Sequence, residues 1–270
     1  MTYIAPQTFR EWHPIGIVKS INKQKPFVFN IGSLPMILWF YNSNPNAMIN
    51  ICKHLGNNLD DGFIDNHNKC LVCPFHKNRY NQTDNFGSIV ERDGLYWWSY
   101  KSYHKNPPLP SKSHNTHNYQ LDINTDLLTF VLNFISISDS NNDNHRYYHN
   151  KNKKQIFIRN NDNRIIYNYP YSIIMDNYRL SILPLSYSKL RIFVTTYNPI
   201  IKILSYMYMF YIKYLFEYKI SKNDLKHLFL FKKGMNCNNR YLEDIYKSYK
   251  DYMFLTKTVT NQFLINRNFY

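Results

Sequence analysis

The chain has 270 residues, a formal net charge of +15 and 44% apolar content. That length can bury a sizeable core in one large domain or two smaller ones, and four cysteines are too few for a secreted disulfide scaffold of this size. The charge would admit nucleic acid or an anionic membrane as partner. Its lysines, however, are scattered among asparagine, tyrosine and isoleucine, a mixture that AT-rich coding also produces, so nucleic acid is set aside.

The opening MTYIAPQTFREWHP contains no apolar run of the kind a secretory signal needs, and an intracellular protein, soluble or membrane-peripheral, is expected. From 26 to 51 the sequence predicts short strands: PFVFNI, PMILWFY and AMINI have β-branched and aromatic content, with Gly32-Ser33 and an Asn-Pro stretch as turns between them. Residues 69–72 and 94–100 (GLYWWSY) extend this small antiparallel sheet. The proline-rich HKNPPLPSKSHN, 104–115, reads as a linker. Beyond it, QIFIR, RIIYNY, YSIIM and KLRIFVTTY predict strands, while 200–219 and 240–257 carry longer, helix-like patterns. Within the last of these, Leu242, Ile245, Tyr249 and Tyr252 recur at three- and four-residue spacing. The most apolar stretch, 200–216, is interrupted by Lys202 and Lys213 and is too short to cross a bilayer, so a buried or interfacial helix with peripheral membrane contact is expected there. The fold class is mainly β plus α+β, with an antiparallel β domain over 10–110 and an α+β domain over 111–270.

Three of the four cysteines fall in ICKHLGNNLDDGFIDNHNKCLVCPFH, 51–76, together with the pairs Cys52-x-His54 and Cys73-x-x-His76. A cluster of two irons and two sulfides ligated by cysteines alone has a low potential; replacing two thiolates on one iron by neutral imidazoles raises it and couples reduction to protonation. Such a site needs two loops, each giving one Cys to the inner iron and one His to the outer. Cys52 with His54 and Cys73 with His76 meet that need, and Gly56 and Gly62 allow the turns around it. Cys70 makes an additional Cys70-x-x-Cys73 pair, so zinc held by Cys52, Cys70, Cys73 and a histidine competes with the iron–sulfur reading.

The segment CKHLGNNLDDG resembles the first loop of the Rieske iron–sulfur family, C-x-H-x-G-x-x-L-x-x-G, and CPFHKNRYN resembles its second, C-P-x-H-G-W-x-[FY]. Lys77 and Asn78 stand where the family has Gly-Trp. Trp12 with Pro14 and the run ERDGLYWWSY followed by PPLP resemble the flanks of that domain in Rieske non-haem iron oxygenases. The resemblance implies a [2Fe-2S] cluster on Cys52, His54, Cys73 and His76. It also implies a helix-grip-like catalytic domain with a mononuclear non-haem Fe(II), a separate reductase or ferredoxin as electron donor, a homotrimer and an apolar small-molecule substrate, aromatic or lipid-like.

The family's second iron motif, N-x-x-D-x-x-H-x-x-x-x-H, fails in direct register. With Asn133 as its Asn, Ser136, Asp139 and Asn144 fall on the ligand positions. A small insertion brings in His145 and His149, four apart and so on one face if that stretch is helical. The Glu-Asp pair of RYLEDIYKSYK then implies Asp244 as the third ligand. Two readings follow: an oxygenase that hydroxylates, demethylates or desaturates its substrate, or an electron-transfer and binding protein that has lost the second iron. A zinc-stabilised module is the third.

Overall fold

A computed structural model describes residues 10–107 apart from 33, 101, 103 and 104, residues 116–134 apart from 128, 132 and 133, and 146–150, 155–159, 164–168, 171–175, 178–186, 188–197, 199–214 and 216. The chain divides into two compact units; of the described residues, 10–107 belong to the first and 116–216 to the second.

The first unit is built from three antiparallel three-stranded sheets. One contains β1 (His13–Ile17), β9 (Leu95–Ser99) and β8 (Ser88–Arg92), with β9 central. The second joins β2 (Phe27–Ile31), β3 (Leu34–Tyr41) and β4 (Asn44–Ile49), and the third β5 (Phe63–Asp65), β6 (Cys70–Val72) and β7 (Arg79–Tyr80). Turn chemistry sets two hairpins. Asn42 and Ser43 between the paired Tyr41 and Asn44 have φ of 46° and 64°, and Asp93 and Gly94 between the paired Arg92 and Leu95 have φ of 52° and 71°. Two consecutive positive φ values make the type I′ turn, whose twist matches that of the strands it joins. All five residues of β9 are buried, which is why LYWWS lacks the alternation of a half-exposed strand. The indoles at its centre are satisfied: Trp97 Nε1–H donates to the Arg92 carbonyl at 3.2 Å and Trp98 Nε1–H to that of Phe86 at 2.7 Å.

The second unit centres on a seven-stranded antiparallel sheet in the order β10-β16-β15-β14-β13-β12-β11. Its strands are β10 (His117–Ile123), β11 (Arg146–Asn150), β12 (Gln155–Arg159), β13 (Arg164–Asn168), β14 (Ser172–Ile174), β15 (Tyr178–Ser186) and β16 (Lys189–Thr196). Leu180 and Ile182 of β15, with Leu190, Ile192 and Val194 of β16, alternate onto one face. There they join Leu127, Phe130, Val131 and Phe134 and, from beyond β16, Met209 and Phe216. The bulge at Pro184 to Ser186 lets β15 accommodate a residue that cannot donate to the ladder. On the opposite face Arg191 grips Asp122 through two hydrogen bonds, 2.8 and 2.9 Å.

The helix Pro199–Tyr214 follows β16. Met209 is buried on its inner side, whereas Ile200, Ile203, Leu204, Met207, Phe210, Tyr211 and Tyr214 are exposed. No helix among the described residues is long and apolar enough to cross a membrane.

Strands β1, β5, β7, β8, β10, β11 and β15 are absent from the sequence expectation. The difference at β11 bears on function. His145 and His149 would share one face only if their stretch were helical, but Arg146–Asn150 is a strand, and His149 pairs with Ile156 of β12. Pairing with the neighbouring QIFIR strand decides this, a contribution that the polar sequence of β11 does not show by itself. A rise of about 3.3 Å per residue along a strand replaces the one-turn spacing that the helical reading requires. His145, Asp244 and the helix expected at 240–257 lie outside the described residues.

Candidate metal centre

Two loops carry the Cys and His pairs, one between β4 and β5 and one between β6 and β7. The first is anchored by Asn50, buried at the end of β4. Its N–H donates to the Pro35 carbonyl at 3.0 Å and its Oδ1 accepts the Leu59 N–H at 2.8 Å. The return of the same loop leaves no room for a side chain at Gly62, where a Cβ would sit 2.6 Å from the Val72 carbonyl oxygen and 2.8 Å from that of Leu59.

The loops close in the same way. The Cys52 N–H donates to the Asn57 carbonyl at 2.7 Å, and the Cys73 N–H to the Asn78 carbonyl at 2.8 Å, five residues on in each case. Four residues after each cysteine the backbone is left-handed, with φ of 74° at Gly56 and 59° at Lys77. The second loop thus holds a lysine in a conformation that costs an ordinary L-residue about 1 kcal/mol. Its ammonium donates to the Pro74 carbonyl at 3.0 Å and lies over the Phe63 ring.

This repeated turn sorts the ligand-type side chains by depth. Cys52 and Cys73 are buried, 1% and 0% exposed, and belong to one cluster of buried residues with Ile37, Trp39, Met48, Leu59, Leu71 and Tyr80. His54 and His76 are exposed. Their rings meet edge to face with centroids 4.7 Å apart. The result is an inner pair of thiols and an outer pair of imidazoles.

Tyr80 ties the two loops together. Its hydroxyl donates to Cys52 Sγ at 3.1 Å and accepts the Lys53 N–H at 2.8 Å. Burial above all, and then the neighbouring Cys52 thiol, push the phenol well above its ordinary range, so it remains a donor at any working pH. For Cys52, burial is the largest influence and acts upward. Hydrogen bonds from Tyr80, the His54 N–H, Cys73 and the Leu55 N–H together outweigh it and hold the thiol below its ordinary value. That is the electrostatic setting a thiolate ligand needs.

Cys70 is different. Burial and the Asp65 carboxylate push its thiol up, against the pull of Arg79, and β5–β6 pairing sets it opposite Asp65. Zinc would draw four ligands to 2.0–2.3 Å of one point. Among the described residues no three of His, Cys, Asp and Glu gather about a single ion. Separate thiol and imidazole pairs suit instead a group with two metals, and the donor set of two thiols and two imidazoles fits a [2Fe-2S] cluster with mixed ligation. The spacing in the sequence marked all four residues. Asn50 went unmarked; an Asn two residues before the first cysteine was the local signal for it.

The profile of the Rieske [2Fe-2S] domain family matches residues 11–95, and this part of the chain is a Rieske iron–sulfur domain. Beyond this domain the chain shares its fold with Rieske non-haem iron oxygenases. It superposes on dicamba monooxygenase bound to 3,6-dichlorosalicylic acid with a TM-score of 0.63 at 12% identity, covering 94% of this chain and 99% of that one. NdmB of Pseudomonas putida CBB5 gives 0.59 at 15% identity, with 76% and 80% covered. The oxygenase in the ferredoxin complex of carbazole 1,9a-dioxygenase gives 0.53 at 12%, with 76% of each chain covered. At these identities the likeness is one of fold. No curated protein matches the sequence significantly.

Proposed function

We propose that the protein is a Rieske-type oxidoreductase in which Cys52 and Cys73 hold the inner iron of a [2Fe-2S] cluster and His54 and His76 the outer one. The observation that carries this reading is the sorting of the four side chains by depth, two thiols buried beneath two exposed imidazoles on loops closed by the same hydrogen bond. A bound cluster supplies reversible one-electron transfer at a potential above that of all-thiolate clusters. The chain's own residues set the conditions. Buried Cys52 and Cys73 keep water from the sulfur side, exposed His54 and His76 offer an edge through which electrons and protons reach solvent or a partner, and Tyr80 fixes a donor on Cys52.

The two-unit fold extends the proposal to an oxygenase. Electrons would come from a separate reductase or ferredoxin, consistent with the ferredoxin complex of the carbazole enzyme, and dioxygen would be used on an apolar aromatic or lipid-like substrate, in a homotrimer. A mononuclear iron on His145, His149 and Asp244 belongs to this reading. One observation favours the second reading, an electron carrier without that iron: His149 sits in a paired strand rather than on a helix.

Metal analysis with electron paramagnetic resonance of anaerobically purified, dithionite-reduced protein tests both. About three irons per chain are expected for the oxygenase and about two for the carrier, from the ligand inventories of the two sites. Zinc without iron, and no paramagnetic signal, would overturn the proposal.

A further inference from the structure

Buried indole N–H groups find acceptors, and Trp97 and Trp98 follow the rule through the Arg92 and Phe86 carbonyls. Trp39 does not. It is 0% exposed, and its Nε1 has no hydrogen-bond partner. Strand β3 places it two residues from Ile37, hence on the same face, and both belong to the buried cluster that contains Cys52 and Cys73. The side-chain acceptors in that cluster are few. Among its buried members the Tyr80 oxygen already accepts from the Lys53 N–H and donates to Cys52, which leaves the sulfurs of Met48, Cys52 and Cys73; Tyr41 packs against the cluster only as a partly buried neighbour. Sulfur there is the chemistry of the proposed metal site.

We propose that Trp39 is a positioning residue for the iron–sulfur group, its indole N–H reserved as a hydrogen-bond donor to the sulfur of that group on its buried side. The inference rests on the ligand assignment of the preceding section. The physical consequence concerns charge. One electron added to the cluster makes its sulfurs more negative, so a donor aimed at them stabilises the reduced form more than the oxidised one and raises the potential. Tyr80 is anchored on β7 and Trp39 on β3, so the two donors would come from different sheets.

The test is a reductive titration of the full-length, cluster-loaded protein followed by electron paramagnetic resonance, comparing wild type with Trp39→Phe. The expected result is a lower potential, about fivefold in the reduction equilibrium or ~40 mV at 59 mV per tenfold for one electron. Trp97→Phe, which removes an indole bonded to a backbone carbonyl, leaves the potential unchanged. If Trp39→Phe does not fold, β-(3-benzothienyl)alanine at position 39 replaces the N–H by sulfur at nearly constant shape and gives the same lowered potential. A normal signal with a potential equal to wild type in either variant overturns the inference. Absence of the signal in the wild-type protein overturns the ligand assignment instead.

Discussion

Replacing Tyr80 by Phe removes one oxygen that serves two partners, and each loss has its own readout. The hydroxyl donates to Cys52 Sγ at 3.1 Å in a buried setting. A hydrogen bond to a charged group contributes about 1.5–3 kcal/mol, and a more negative reduced cluster strengthens it; if the two oxidation states differ by about 1 kcal/mol, removal lowers the potential. With 59 mV per tenfold for one electron, 1 kcal/mol corresponds to ~40 mV. The same oxygen accepts the Lys53 N–H at 2.8 Å, so the substitution also leaves a backbone donor without that acceptor. That costs about 1–2 kcal/mol of stability. Redox titration and denaturant unfolding of Tyr80→Phe should therefore show a potential lower by tens of millivolts together with an earlier unfolding midpoint. A loss of stability at unchanged potential would mean that the hydroxyl serves the loop alone, and the charge argument would be wrong.

Gly62→Ala forces its new methyl against two carbonyl oxygens at 2.6 and 2.8 Å, which belong to the frame of both loops. Overpacking of this kind costs about 1–3 kcal/mol, and a lower melting temperature with reduced cluster content is expected; a variant as stable as wild type would contradict the crowding. Lys77→Gly relieves the left-handed strain but frees the unfolded chain, so a gain of at most about 1 kcal/mol is expected from denaturation curves. His76→Cys should move the potential toward the ~−400 mV of all-thiolate clusters, and an unchanged potential would count against the outer-iron assignment. Burial pushes the Asp122 carboxyl upward, but Arg191 first and then Lys189 and Lys213 outweigh it, holding it below its ordinary value. A depressed carboxyl stabilises the fold above its unfolded value and loses that contribution as pH falls through the folded one. Asp122→Asn should accordingly cost about 1 kcal/mol near neutral pH, with the gap to wild type closing in acid unfolding experiments.

Local signals were legible without coordinates. Alternation and β-branched content located β2, β3 and β4, because side-chain period depends on neighbours only a few residues apart. The pairs Cys52-x-His54 and Cys73-x-x-His76 were readable for the same reason: spacing within a short loop is a local property of the chain. Pairing between strands and packing between elements decided the rest. The polar segment 146–150 shows no strand pattern of its own, and is a strand because β12 offers it a ladder. Cys70 and Cys73 are equivalent as a C-x-x-C pair in the sequence, yet β6 sets Cys70 against Asp65 while the turn beyond it carries Cys73 to Cys52. Trp39 and Tyr80 come to share one buried cluster with the thiols from strands some forty positions apart. A contact between such distant residues has no periodicity or spacing to announce it; only the packing of sheet on loop selects it.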